Sequence, residues 1–236
     1  MSALPRTAAL ATVLAALGAL PAADEFDFIQ ASLTWLPGAE VLRERQFGAT
    51  VAASPLPAGY QRVSALDGDE VSWGLQVGWR GFRFEPQAST GYAVFAGGGF
   101  TQQRGSDPRI GDATAKALGV HLGLDGAWRS DLGDAPILLT AGARMGFALA
   151  QQDFDLPALG DATGVQGSFG VQLGAYKVLG RAMVGIEAGY SVWASRAVHD
   201  YNQPVAGADS VTGTGEMTVS LRGHGPTAGL VVGWRF

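Results

Sequence analysis

The sequence predicts an all-β protein, a transmembrane antiparallel up-and-down β-barrel, with eight strands. Three patterns predict it: eight stretches have apolar residues at every second position, short and long connections alternate between them, and the prolines lie almost entirely in those connections. Successive side chains of a strand point to opposite faces, so this alternation gives each stretch one apolar face. A closed barrel with all of those faces turned outward is a structure that lipid can surround.

The eight stretches each span about 9 to 11 residues, the length that a tilted strand needs to cross a bilayer. They begin at about Phe26, Glu70, Thr90, Thr114, Ile137, Gly164, Arg181 and Met217. In chain order, the residues predicted to point outward are Ile29, Leu33 and Trp35; Val71, Trp73, Leu75, Val77 and Trp79; Tyr92, Val94, Ala96 and Phe100; Leu118, Val120, Leu122, Leu124 and Trp128; Leu139, Ala141, Met145, Phe147 and Leu149; Val165, Phe169, Val171 and Leu173; Val184, Ile186, Ala188, Tyr190 and Val192; and Ala228, Leu230, Val232, Trp234 and Phe236.

The connections follow the rhythm of a barrel that has short turns on one side of the membrane and long loops on the other. Short turns are predicted at 85–89, 130–136 and 179–180, and long loops at 37–69, 102–113, 151–163 and 197–216. The last stretch has one irregularity, because Met217, Val219 and Leu221 do not share the parity of Ala228 and the residues after it. We therefore predict a β-bulge at 223–226 that resets the strand.

The last strand carries a targeting pattern as well as a structural one. Leu230, Val232, Trp234 and Phe236 alternate with small or polar residues, and the pattern stops on the aromatic Phe236. This resembles the C-terminal signature of small Gram-negative outer-membrane β-barrels. The resemblance implies an outer-membrane location, contact with outer-membrane lipids and recognition by the barrel-assembly machinery. By the same resemblance the protein is expected to be a monomer with an unidentified extracellular ligand.

The first 23 residues have the features of a secretory signal peptide. Arg6 is their only charge, an apolar run follows from Ala8 to Leu20, and Ala22 and Ala23 provide small residues before a cleavage site. We therefore predict a cleaved signal at 1–23 and one barrel domain at 24–236. The formal net charge of -5 makes nucleic acid an improbable partner, and the absence of cysteine excludes a lipid-anchored protein.

A secreted soluble barrel or sandwich is the alternative architecture, because alternation alone does not say which face is inside. The second face of the stretches argues against it. That face is mostly Gly, Ala, Ser, Thr and Gln, and the two lysines of the chain, Lys116 and Lys177, lie near strand ends. Such a face suits a narrow polar lumen better than a solvated surface.

A few charged residues fall on the inward face, and they are the candidate site of this protein. Buried charges are costly unless they are paired, so we predict a structural ion network in the lumen. In it Arg144 bridges Asp125 and Glu187, with Arg80 and Arg222 also pointing inward. Its role is to fill the barrel, because eight strands enclose little more than their own side chains.

Other polar residues suggest chemistry only weakly. His199 and Asp200 in the last long loop, together with Asp67, Asp69 and Glu70 in the first, could activate water at the outer rim. Asp153, Asp155 and Asp161 offer oxygen ligands, but their spacing does not match a calcium loop. His121 has glycines as its same-face neighbours, and His224 falls in the predicted bulge. No catalytic residue, cofactor or metal site is therefore predicted.

The function predicted from the sequence is non-enzymatic. The main hypothesis is a structural, adhesion or surface-interaction role through long outer loops. A narrow channel for small or apolar solutes is the alternative. An outer-rim hydrolase or lipid-modifying enzyme that depends on His199 comes third.

Overall fold

The computed structural model describes residues 24–46, 61–68, 71–85, 88–107, 111–130, 135–155, 161–204 and 212–236. Within these ranges the chain forms strands joined by turns. The strands are β1 (Asp24–Leu36), β2 (Val41–Gln46), β3 (Gln61–Ala65), β4 (Ser72–Phe84), β5 (Thr90–Asp107), β6 (Gly111–Ser130), β7 (Ile137–Phe154), β8 (Ala162–Leu179), β9 (Ala182–Pro204) and β10 (Thr212–Arg235). In this part of the chain there is no helix with the length and apolar character to cross a membrane.

Eight of these strands close into an antiparallel ring. Sequential neighbours pair from β4 to β10, and β1 closes the ring by pairing with both β4 and β10. Their starts lie close to those predicted, and the predicted fold class is confirmed. The two-residue turn at Gly180 and Arg181 between β8 and β9 has a φ of +63° at Gly180, a value that glycine adopts without strain.

The pairing register defines the dimensions of the ring. A row of directly paired residues starts at Ser220 on β10, passes through β9, β8, β7, β6, β5, β4 and β1, and returns to β10 at Leu230. The row is therefore displaced by ten residues per circuit. For eight strands this stagger gives a tilt of about 40° and a radius of about 8 Å. A ring of that radius has room for side chains and little else.

The predicted bulge in the last strand is wrong. β10 pairs with β9 in one unbroken register from Thr212 to Trp234, straight through 223–226. The irregularity lies in the neighbouring strand instead. β1 and β2 pair with β10 in the same register, as Trp35 opposite Ala228 and Val41 opposite Arg222 show, but the four residues between them leave the sheet.

The outer surface of the ring is an apolar belt. Large side chains predicted to point outward are exposed on seven strands of the ring, and Leu118, Phe147 and Leu173 are 70%, 63% and 64% exposed. On β5, Tyr92 and Phe100 are half-buried. Val94 differs, because its neighbours cover it to 8% exposure. An apolar surface that encircles the molecule is far larger than soluble monomers tolerate, so it is a lipid-facing surface.

The strands are longer than predicted at the end where the long loops were placed. β9 continues to Pro204 and β10 begins at Thr212, so most of the predicted loop at 197–216 is strand. The first predicted loop contains β2 and β3, which pair with each other beside β10. These extensions carry the barrel beyond the apolar belt.

Candidate functional site

A network of buried charges crosses the lumen in its inner half, the half nearer the short turns. Arg80 on β4 is fully buried and lies between two carboxylates: its Nη2 is 3.4 Å from Asp125 Oδ2 and 3.0 Å from Glu187 Oε1. Arg144 Nη2 lies 2.7 Å from the same Glu187 oxygen. Tyr176, which also accepts a hydrogen bond from Arg80, donates its hydroxyl to Glu187 at 2.5 Å. Two arginines thus face two carboxylates, and their charges balance.

The pairing differs from the predicted one in its central residue. Arg144 does contact Glu187, but the arginine that bridges Asp125 and Glu187 is Arg80. Arg80 has the more central position because aromatic rings hold its guanidinium, 4.7 Å from the Tyr176 ring centre and 5.8 Å from that of Phe82. Tyr176 was not among the predicted members of the network, although its position on β8 places it on the inward face between Gly174 and Val178.

Arg222 is not part of the network, and its predicted inward orientation is wrong. Val219 and Leu221 are fully buried, whereas Arg222 is exposed on the outer surface. Because β10 has no bulge, its parity does not change, and the buried pair packs in the lumen above the belt. The apolar residues that suggested an outward face therefore point inward at this height.

Aromatic and aliphatic side chains fill the lumen below the charges. Phe28 and Phe82 are fully buried and meet edge to face with ring centres 6.1 Å apart, and Phe82 meets Tyr176 at 5.9 Å. The same cluster includes Phe84, Ala93, Ala127, Leu138, Val178, Met183 and Val231. Together with the ion network, it fills the inner half of the lumen.

The lumen is polar in its middle and apolar again at the outer end. Gln166 donates to Thr101 and Gln103 across the middle, where a cavity of about 90 Å³ is lined by residues that include His121, Arg144 and Leu36. Above it, Trp193, Val219 and Leu221 form a cap. Ala39, Leu42, Leu66, Ala113 and Ala115 complete that cluster.

His199 belongs to this outer end, and its predicted position in a long outer loop is wrong. It lies on β9, is fully buried, places Nε2 3.1 Å from Gln152 Oε1 and meets the Phe154 ring edge to face at 5.2 Å. Gln152 in turn donates to Ser195 at 2.9 Å. The strand extension explains the difference, because inward and outward residues keep alternating beyond the belt.

The wall of the barrel is interrupted where residues 37–40 leave the sheet. These residues turn inward: Ala39 is fully buried and donates its amide to Arg104 O at 2.7 Å, and Trp193 Nε1 donates to Pro37 O at 3.2 Å. Gly38 permits the turn, because a Cβ there would meet the carbonyl oxygens of Gly68 and Arg104. No sequence pattern predicted the interruption, although one proline, Pro37, lies in the segment that leaves the sheet and another, Pro226, lies in β10.

The interruption leaves a recess of about 630 Å³ that opens on the outer surface. Its apolar lining includes Trp35, Leu36, Leu66, Val71 and Pro226, and its polar lining includes Glu40, Asp67 and His224. Leu36 also lines the internal cavity, so the recess and the cavity adjoin at that side chain.

His224 connects the two sides of the recess. Its Nε2 is 3.1 Å from Glu40 Oε2, and its Nδ1 is 2.6 Å from the hydroxyl of Tyr190. With a proton on Nε2, the imidazole donates to Glu40 and accepts from Tyr190. His224 thus lies in a regular strand and not in a bulge, and it ties β10 to the segment that leaves the wall.

The other polar residues that the sequence suggested for catalysis or metal binding do not form a common site. Asp67 is exposed and bridges to Ser106 through the backbone, and Asp153 forms an ion pair with Lys116 at 2.5 Å. Asp155 and Asp161 are exposed. Among the described residues no group of three or more acidic, histidine or cysteine side chains is arranged to hold a metal ion. Asp69 and Glu70, and the side chain of Asp200, lie outside the described residues.

Comparison with solved structures shows what this fold is similar to. No protein-family model and no curated protein sequence matches the chain. The outer membrane protein OprG from Pseudomonas aeruginosa matches with a TM-score of 0.50 and 16% identity, over 91% of this chain and 97% of OprG. The outer membrane protein AlkL, determined in DMPC bilayers, matches with a TM-score of 0.34 and 11% identity, over 92% of this chain and 94% of AlkL. The closed ring of eight strands and the match to OprG show that the chain has the fold of a small outer-membrane β-barrel, and the predicted outer-membrane location agrees with that fold.

Proposed function

We propose that this protein is a narrow outer-membrane channel for small apolar solutes, which leave the lumen through the wall and not through its inner end. The main evidence for this proposal is the contrast between the two halves of the barrel. Charges and aromatic rings fill the inner half, whereas the outer half has a cavity that adjoins a recess in the wall at Leu36.

One side of the recess offers contacts to an apolar solute. Trp35, Leu36, Val71 and Pro226 lie on that side, polar residues complete the lining, and the size of the recess falls within the range of about 300 to 1,000 Å³ that is usual for small-molecule sites. The internal cavity is smaller, about 90 Å³, so a solute passes only when the Leu36 side chain moves aside. Solute passage is therefore expected to depend on the size of the side chain at position 36.

The recess opens at the edge of the apolar belt. Trp35 and Tyr190, which flank it, are 50% and 46% exposed on the outer surface. A solute that reaches the recess is therefore adjacent to lipid and does not need to cross the ion network. An adhesion or structural role through long loops remains a prediction, and no described residue favours it over the channel.

Uptake by intact Gram-negative cells that make the protein tests this proposal. The probe is N-phenyl-1-naphthylamine, an apolar fluorophore, and the readout is the initial rate of its fluorescence increase. Leu36→Trp fills the junction between cavity and recess and is expected to return uptake to the rate of cells without the protein. Val120→Trp, on the outer face of β6 and 58% exposed, is the matched control and is expected to leave uptake unchanged.

Two results would count against the proposal: equal uptake by Leu36→Trp and wild-type cells, or equal loss in both tryptophan variants. The amount of folded barrel in each strain is measured by its heat-modifiable migration on gels. Ion conductance in planar bilayers distinguishes passage through the wall from passage along a straight pore, because only a straight pore would conduct ions from one end of the barrel to the other. A steady ion current through the wild-type protein would show that the inner end is open.

A further inference from the structure

We propose that the internal cavity binds the neutral polar head group of a solute that is otherwise apolar. The head group is a primary amide or a similar group that both donates and accepts hydrogen bonds. Because the cavity adjoins the recess at Leu36, the head group lies in the cavity while the apolar part of the molecule lies in the recess. This inference rests on the proposed channel function, since it concerns the solute that passes between cavity and recess.

The lining of the cavity is rich in neutral hydrogen-bonding groups. It includes five serine and threonine residues, among them Ser168 and Ser191, and three glutamines, Gln76, Gln103 and Gln172. At about 10 to 15 Å³ for each enclosed water, the volume of about 90 Å³ holds about six waters or a head group of similar size. Such a lining favours a ligand that has hydrogen-bonding atoms over a pure hydrocarbon.

Three of the lining residues have buried polar atoms that no described residue satisfies. They are the amide oxygen of Gln76, the amide nitrogen of Gln172 and Nε of Arg144. A buried donor or acceptor without a partner is unfavourable, so such atoms normally contact a bound molecule or water. One acceptor and two donors around a single cavity match a primary amide, whose oxygen accepts hydrogen bonds and whose nitrogen donates them.

The barrel wall leaves space for the head group at Gly146. His121, Gly146 and Ser168 pair directly across β6, β7 and β8, and the two polar residues line the cavity. A Cβ at position 146 would lie 2.6 Å from His121 Nδ1 and 2.5 Å from Ser168 Oγ, which is too close for either atom. Glycine at this position therefore leaves the imidazole and the hydroxyl uncovered on this side.

The charges at the floor of the cavity are balanced, which favours a neutral head group. Arg144 and Glu187 both line the cavity, and Arg144 Nη2 is 2.7 Å from Glu187 Oε1. Glu187 would repel a carboxylate placed beside it, and Arg144 would repel an ammonium group. Either ion would also lose its hydration on entering the cavity, a cost that a neutral amide largely avoids.

Titration of purified, folded full-length protein in detergent with butanamide tests the proposal. The readout is the NMR signal of the isotope-labelled Gln172 side-chain amide, and butanoate and butylammonium are the comparison ligands. Wild-type protein is expected to show a saturable shift and to bind butanamide about tenfold more tightly than either ion. Gln76→Leu removes an acceptor and is expected to weaken butanamide binding about tenfold. Gln30→Leu, at a lumenal glutamine of 1% exposure outside the cavity lining, is the matched control and is expected to bind like wild type.

Several outcomes would overturn the assignment. Equal binding of the three ligands, or the lack of a saturable shift, would show that the cavity selects no amide and holds water only. Unchanged binding by Gln76→Leu, or equal loss in Gln30→Leu, would exclude this cavity, and gel migration verifies that each variant is folded.

Uptake of N-phenyl-1-naphthylamine separates this inference from the channel function. Cells that make Gln76→Leu are expected to keep the wild-type rate, because this fluorophore has no primary amide. Selective butanamide binding by the wild-type protein, together with undiminished uptake in Leu36→Trp cells, would contradict the channel and support the head-group site. Loss of uptake in Leu36→Trp cells, together with equal binding of the three ligands, would support the channel and overturn the head-group site.

Discussion

Replacement of Arg80 by methionine is expected to destabilise the barrel by about 3 to 5 kcal/mol. Arg80 Nη2 is 3.0 Å from Glu187 and 3.4 Å from Asp125, and the side chains of Arg80 and Asp125 are completely enclosed. At an effective dielectric constant of about 20, each of these attractions amounts to about 5 kcal/mol. Most of that sum offsets the cost of burying the charges. The net loss is the penalty for leaving Asp125 without its cationic partner.

The free energy of unfolding in lipid vesicles measures this effect, with urea as denaturant and gel migration as the readout. Arg144→Met is the matched variant. It is expected to cost about 1 to 2 kcal/mol, because Glu187 keeps Arg80 and Tyr176 as partners. In the double variant Arg80→Met/Asp125→Leu, the second change is expected to restore part of the loss. A cost below about 1 kcal/mol for Arg80→Met, or strictly additive effects of Arg80→Met and Asp125→Leu, would refute the pairing argument.

Three further predictions concern the pore, the outer end and assembly. Arg144→Ala is expected to leave ion conductance in planar bilayers at baseline, because Phe28, Phe82 and Tyr176 still fill the lumen below it; a sustained current would contradict this. His199→Leu is expected to lower the free energy of urea unfolding by about 1 to 3 kcal/mol through the lost contact with Gln152, whereas Val198→Ala on the exposed face costs less than about 1 kcal/mol. Phe236→Leu is expected to reduce the amount of folded barrel in cells at nearly unchanged stability, and Phe169→Leu serves as its control; equal amounts of both variants would exclude Phe236 as an assembly signal.

The sequence predicted the membrane-spanning part of the fold well because two constraints act on it together. Each strand there must present apolar residues to lipid at every second position, and the narrow lumen admits small or paired polar residues. Leu118, Val120, Leu122 and Leu124 on β6 follow this rule without exception. The strand starts and the outward residues could therefore be derived from period-two alternation alone.

The site was predicted less completely, because its contacts depend on how far each side chain reaches across the lumen. Arg80, Asp125, Arg144 and Glu187 were placed on the inward face from parity. Which arginine bridges the carboxylates depends on the stagger of the strands and on the aromatic rings around Arg80. Tyr176 was not predicted to join the network. Parity gives only its inward orientation, whereas its contact with Glu187 is made by the hydroxyl at the far end of the ring.

The wrongly predicted bulge in β10 reflects a more general property of this chain. Below the edge of the belt the apolar residues of β10, such as Leu230 and Val232, face lipid; beyond it Val219 and Leu221 face the lumen. The parity of the apolar residues therefore inverts where the strand leaves the membrane, while the backbone register continues unchanged. β6 shows the same inversion, with Ala113 and Ala115 buried inside and Leu118 exposed outside. A change of parity in a long barrel strand thus indicates a change of solvent.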